Sequence, residues 1–215
     1  MYSKIQYISQ GTSAAAQLDN VHQALDSGCT WIQLRFKNAE EKELADLAHR
    51  VKKDCADYDA TFILNDQVQL AKEVEADGVH LGLTDMSIIQ ARELMGEEKI
   101  IGGTANTLSD VLQRVNEGCD YIGLGPLRFT TTKEQLSPVL GIAGYQSILD
   151  ELKKEEIKIP VYAIGGIVPE DVPHLISCGV YGIAVSGIIT HHENKKKLIK
   201  HLKFSLYAPT EYSPY

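Results

Sequence analysis

Glu117-Gly118-Cys119-Asp120-Tyr121-Ile122-Gly123-Leu124 decides the fold. A stretch of helical periodicity, 108–116, leads up to it, a glycine follows, and a short apolar run begins soon after. Glycine suits the residue just past a helix, because the left-handed conformation there costs it no Cβ clash. The same approach recurs in Ser27-Gly28-Cys29 before Trp31, Asp77-Gly78 before His80 and Cys178-Gly179 before Tyr181. Apolar runs of strand length lie at 5–9, 31–36, 61–64, 78–81, 99–102, 120–124, 160–164 and 182–185. Between and after them the spacing predicts helices over 14–26, 40–56, 67–74, 87–94, 108–116, 143–154, 170–177 and 193–206. Short buried runs alternating with helices indicate parallel βαβ units, and this many in 215 residues predict a (β/α)₈ TIM barrel of the α/β class. A doubly wound open sheet is the alternative.

The same length predicts one domain, a catalytic barrel over 1–207, and Pro209 and Pro214 mark 208–215 as a C-terminal tail. No apolar run reaches the roughly 18 residues of a membrane span, and the first residues lack the apolar core of a signal peptide. A cytoplasmic protein without a membrane partner is the expectation. A net charge of −8 argues against nucleic acid, which calls for clustered Lys and Arg. Cys29, Cys55, Cys119 and Cys178 form no CxxC pair, so buried free thiols are expected.

Barrel active sites lie at the carboxyl ends of the strands. After the second run, Gln33, Arg35 and Lys37 alternate with Leu34 and Phe36, which predicts one face with an amide and two cations suited to a phosphate. A solvated strand end is an equal reading. Asn65-Asp66 and Gly82-Leu83-Thr84-Asp85 put two carboxylates at neighbouring rim positions, where they could share Mg²⁺ with substrate phosphate. On spacing alone, helix capping by Asp66 and Asp85 is the more economical account. Gly125 to Lys133, with Thr130, Thr131, Thr132 and Lys133, then Ser137-Pro138, has no clear period. It reads as ordinary loop composition or as a lid over 129–141 that closes on a diphosphate. Gly165-Gly166 and Val185-Ser186-Gly187 follow the seventh and eighth runs, where this fold frequently binds phosphate through backbone N–H groups. His80 reads as a hydrogen-bonded core histidine, and His191-His192 as a solvated pair near a helix start. Nothing suggests covalent catalysis.

These residues, in order and spacing, resemble the thiamine phosphate synthases: Gln33 to Lys37, Asn65-Asp66, Asp77 to Gly82 with Asp85, Asp120 to Pro126 with Thr130 to Lys133, and Ile164 to Ile167. The resemblance implies a transferase of thiamine biosynthesis. It would join 4-amino-2-methyl-5-(diphosphooxymethyl)pyrimidine to a thiazole phosphate, releasing diphosphate, with Mg²⁺ as cofactor. It further implies that Gln33, Arg35, Lys37, Asn65 and Lys133 hold the pyrimidine diphosphate, Arg35 and Lys133 being catalytic, and that Leu34, Phe36 and Thr104 also bind substrate. Asp66 and Asp85 would hold the metal. Thr130, Thr131, Thr132, Gly166, Val185 and Ser186 would serve the thiazole phosphate. The chain departs from the family pattern at Leu83, where Gln is common, and at Thr104, where Ser is common and the hydroxyl is kept. A thiazole tautomerase and a non-catalytic thiamine-pathway binding protein are the alternatives. Asn65-Asp66 and Thr132-Lys133 favour the synthase, since a tautomerase has no diphosphate to neutralise. The partners implied are small molecules, with homo-oligomerisation left open.

Overall fold

The apolar runs form eight strands in a computed structural model that describes residues 2–129 and 138–208. They are β1 (Ile5–Ile8), β2 (Trp31–Leu34), β3 (Thr61–Asn65), β4 (Gly78–Leu81), β5 (Ile100–Ala105), β6 (Tyr121–Leu124), β7 (Val161–Ile164) and β8 (Gly182–Val185). All pair in parallel and in chain order, and β8 returns to β1, so the sheet is a closed barrel and the open sheet is excluded. Helices α1 (Ala14–Asp26), α2 (Glu41–Asp57), α3 (Val68–Glu73), α4 (Ile88–Met95), α5 (Leu108–Asn116), α6 (Gly141–Lys154) and α7 (Val172–Cys178) each follow one strand. After β8 comes a short α8 (Gly187–Thr190), absent from the sequence reading, and then α9 (Lys195–Tyr207). Of the expected tail, only Ala208 lies among the described residues.

Alternation along the strands builds two cores. Ile32, Leu34, Phe62, Leu64, Val79 and Leu81 face outward and are buried beneath the helices. Trp31, Ile63, Tyr121 and Tyr162 face inward. The Trp31 ring meets Tyr121 and Tyr162 edge-on at 5.1 and 5.2 Å, a favoured aromatic geometry. All three stand near the amino ends of their strands, so aromatic side chains fill that half of the barrel, and the cavity lies at the other mouth.

The plug explains one disagreement with the sequence reading. β5 does not stop at Gly102 but runs on to Ala105. Gly102 pairs with Tyr121, and a Cβ on it would lie 2.1 Å from the tyrosine ring, so this glycine is a hole for an aromatic side chain rather than a strand end. Gly78 is a second correction. Gly28, Gly118 and Gly179 leave their helices with φ of 97°, 78° and 98°, as expected, but Gly78 has no positive φ and opens β4. A side chain there would strike the Ile100 carbonyl at 2.0 Å. The four thiols are buried and unpaired. Among the described residues, no helix is long and apolar enough to cross a membrane.

Candidate functional site

Above the aromatic plug, the carboxyl ends of the strands enclose a cavity of about 270 Å³. Its floor is a chain of hydrogen bonds from inward-facing residues of five strands. Gln33 Nε2 donates to Gln6 Oε1 (3.1 Å), and Gln6 Nε2 donates to the Tyr121 hydroxyl (3.0 Å). That hydroxyl lies 3.0 Å from His80 Nδ1, and His80 Nε2 lies 3.1 Å from Thr104 Oγ1. His80 is thus a hydrogen-bonded core histidine, as expected, but it also lines the cavity. Gly123 leaves room for its ring, since a Cβ there would sit 3.0 Å from His80 Cε1. Asn106, which lines the cavity, and Gln6 and Tyr121, which hydrogen-bond to the lining side chains of Gln33 and His80, were missed. Gln6 carried a signal, being an amide inside an otherwise apolar strand.

One wall carries formal charges. Gln33 and Arg35 line the cavity, and burial lowers the Arg35 guanidinium from its ordinary value while the nearby Asp66 carboxylate opposes that shift. Lys37 does not share their face. β2 ends at Leu34, and without a ladder to hold the alternation the chain turns at Asn38, whose φ is 62°. Lys37 therefore borders an adjoining pocket of about 190 Å³ with Asn65 and Asp66, and its Nζ lies 4.0 Å from Asp66 Oδ2. Leu34 is fully buried in the outer core and Phe36 packs against that core; neither lines the main cavity, and both border the adjoining pocket. Asn65 borders both spaces.

Capping does not account for the two acids. Gln67 stands at the α3 N-cap without a side-chain bond, and Ser87 caps α4. Asp66 adopts φ 64°, and Asp85 Oδ2 accepts from the Gly82 N–H at 2.6 Å. Burial, and then the Asp85 carboxylate hydrogen-bonded beside it, push the Asp66 carboxyl up to about 7. Such a pair favours a shared proton or a cation. Two hard oxygen donors fit Mg²⁺ bound jointly with phosphate oxygens. Among the described residues, no cluster of three or more His, Cys, Asp or Glu offers a complete metal shell from protein alone. Leu83 is exposed beside this rim.

The opposite wall carries no charge. Gly165, Gly166, Ile167, Val185, Ser186 and Gly187 line the cavity. Gly165 and Gly166 have φ of 90° and 69°. No described group accepts a hydrogen bond from the N–H of Gly165, Gly166 or Ile167, nor from that of Ser186 or Gly187. Successive unpaired N–H groups at a concave surface form an anion cradle. Thr130, Thr131, Thr132 and Lys133, and most of the expected lid over 129–141, lie outside the described residues.

The family model for thiamine monophosphate synthase matches residues 6–189. The chain belongs to that family. A thiamine-phosphate synthase of Flavobacterium johnsoniae is 58% identical over 208 residues, 97% of this chain and 98% of that protein. A thiamine-phosphate synthase of Bacteroides thetaiotaomicron is 48% identical, covering 91% of this chain and 99% of its own length. The solved structure of a thiamine phosphate pyrophosphorylase from Pyrococcus furiosus superposes with a TM-score of 0.80 at 33% identity, over 94% of this chain and 95% of that one. A 3-hexulose-6-phosphate synthase, at 16% identity and a TM-score of 0.71, shares the fold. The match to the thiamine monophosphate synthase family covers nearly the whole barrel, short of α9, and the assignment as a thiamine-phosphate synthase, a transferase, stands with it.

Proposed function

We propose that this cavity joins the pyrimidine diphosphate to the thiazole phosphate by a dissociative substitution. The observation that carries the reading is the apposition of a charged rim, with Arg35 in the cavity and Lys37 and Asp66 in the pocket adjoining it, and an uncharged N–H wall: two anions of different kind fit side by side. Arg35 and Lys37 hold the diphosphate oxygens, and Gln33 and Asn65 orient the pyrimidine end. Thr104, fixed by His80, adds a hydroxyl to the same subsite. Asp66 and Asp85 hold Mg²⁺, which when bound supplies positive charge to the leaving diphosphate. The carbon–oxygen bond to the diphosphate breaks with both electrons going to the departing oxygen. The thiazole nitrogen then gives its lone pair to the pyrimidine methylene carbon, so no enzyme nucleophile and no proton transfer at that nitrogen are needed. Gly166, Val185 and Ser186 keep the thiazole phosphate on its own wall and aim the nitrogen across the cavity.

Lys133 as a second cation on the diphosphate, and Thr130, Thr131 and Thr132 as thiazole phosphate contacts, complete the proposal from the family resemblance. Mixing the two substrates with the full chain, with and without Mg²⁺, tests it. Thiamine phosphate and diphosphate should appear in equal amounts and only with the metal. Product formation indifferent to Mg²⁺ would overturn the assignment of Asp66 and Asp85, and no product at all would overturn the reaction.

A further inference from the structure

Arg128 does not line the cavity, yet among the described residues its polar contacts lead to the loop and turn after β7. Its backbone N–H donates to the Gly165 carbonyl (3.1 Å), and the preceding Leu127 N–H donates to the Ile164 carbonyl (2.9 Å). Its side-chain Nη1 donates to the Gly166 carbonyl at 3.0 Å. Both terminal nitrogens also donate to Asp171, Nη2 to Oδ1 at 2.5 Å. Asp171 is in turn tied down: its side chain is 8% exposed, and Oδ2 accepts from the Val168 N–H at 2.8 Å. The two loops touch so closely that a Cβ on Gly166 would lie 3.0 Å from Arg128 Cβ, and one on Gly165 would lie 2.6 Å from Pro126 Cβ.

An exposed ion pair contributes little, but a bidentate guanidinium–carboxylate pair with one buried partner fixes direction as well as distance. What it fixes is a peptide unit. In a trans peptide the carbonyl and the following N–H point in opposite directions, so drawing the Gly166 carbonyl toward Arg128 turns the Ile167 N–H away from Arg128. Ile167 lines the cavity, and no described group accepts from that N–H.

We propose that Arg128, clamped by Asp171, is a positioning residue: it sets the Gly166–Ile167 peptide and thereby the affinity of the loop after β7 for the phosphate of the thiazole substrate. The inference rests on that loop being the thiazole phosphate site, as read above. It separates two properties that a merely structural ion pair would not, since only one of the two substrates should sense Arg128.

The test is steady-state kinetics of the full chain with each substrate varied in turn, for Arg128→Met, Arg128→Lys, Asp171→Asn and Gly166→Ala, with thermal unfolding recorded for each. Arg128→Met should raise the KM for the thiazole phosphate roughly tenfold or more, the size expected for a lost charge-assisted bond, and leave the KM for the pyrimidine diphosphate within about twofold. Arg128→Lys, which retains one charged donor, should recover part of the loss. Asp171→Asn keeps an acceptor for Val168 but loses the anion, so it should move the same KM less. The double variant Arg128→Met with Asp171→Asn should be no worse than Arg128→Met alone, because the two act as one unit. Equal rises in both KM values, or a lower Tm with neither KM changed, would overturn the inference while leaving the phosphate site intact if Gly166→Ala still raises the thiazole KM. If neither Gly166→Ala nor Arg128→Met moves the thiazole KM, the phosphate site itself has been misplaced and the inference falls with it.

Discussion

Across the barrel mouth from the rim of β2, β3 and β4, where Arg35, Lys37, Asp66 and Asp85 gather formal charges, the loops after β7 and β8 line the cavity with no charged side chain among the described residues and with backbone N–H groups that no described group accepts from. Under the proposed reaction the difference matches what each anion would undergo. A departing diphosphate gains charge on its bridging oxygen as the bond breaks, so groups that respond strongly to that charge lower the barrier. A phosphate monoester that serves as a handle does not change during the reaction. Fixed dipoles of a preset loop are sufficient to bind it, and they neither titrate nor need a metal.

The comparison breaks most visibly at Arg35. Replacing it by Met should lower kcat by roughly 10²- to 10³-fold, the usual cost of removing one donor from developing charge, with the thiazole phosphate KM nearly unchanged. Diphosphate release at saturating thiazole phosphate is the measurement, and a purely KM-type defect would show that the charged rim binds without assisting bond cleavage. Asp66→Asn should next raise the Mg²⁺ concentration needed for half-maximal turnover, by roughly tenfold or more. Chelation by EDTA should abolish wild-type turnover reversibly.

On the uncharged side the expected effect is smaller. Gly166→Ala forces a side chain into φ 69° beside Arg128, and the left-handed penalty of about 1–2 kcal/mol corresponds to roughly a five- to thirtyfold rise in thiazole phosphate KM. Its Mg²⁺ titration should match that of the wild type. A further effect is on stability. The Asp66 carboxyl, ordinarily near 3.8, is raised to about 7, so the folded chain holds that proton more tightly than the unfolded chain does. Its stabilising contribution is complete below 3.8 and is lost as pH rises through about 7. Thermal unfolding followed over that window should show this loss in the wild type but not in Asp66→Asn, and Mg²⁺ should offset it once the carboxyl has ionised. Asp171 behaves in the opposite sense. The Arg128 hydrogen bonds hold it below the usual carboxylate range, so its contribution is present above the ordinary carboxyl pKa and disappears only as pH falls through the lowered value.

The single-domain barrel was readable from the chain because its causes are local. Strands announce themselves as short apolar runs and helices through a period of 3.6, and Gly28, Gly118 and Gly179 sit where a helix must release the chain in a left-handed conformation. The family motifs likewise placed Arg35, Asn65, Thr104, Gly166 and Ser186 at one mouth, since any residue just past a barrel strand arrives there. Other features depended on partners distant in sequence. Whether Gly102 ended a strand or made room for a ring depended on Tyr121, and Gly78 answered to Ile100. Whether Asp66 and Asp85 capped helices or faced each other depended on how two successive loops met. Lys37 left the face of Gln33 and Arg35 because alternation is enforced by hydrogen bonds to a neighbouring strand, and past Leu34 those bonds end. Arg128 drew no notice in the sequence because its partners, Gly166 and Asp171, lie 38 and 43 residues away. Periodicity records only what a residue's near neighbours require, whereas closure of the barrel brings distant loops together and gives their side chains a direction.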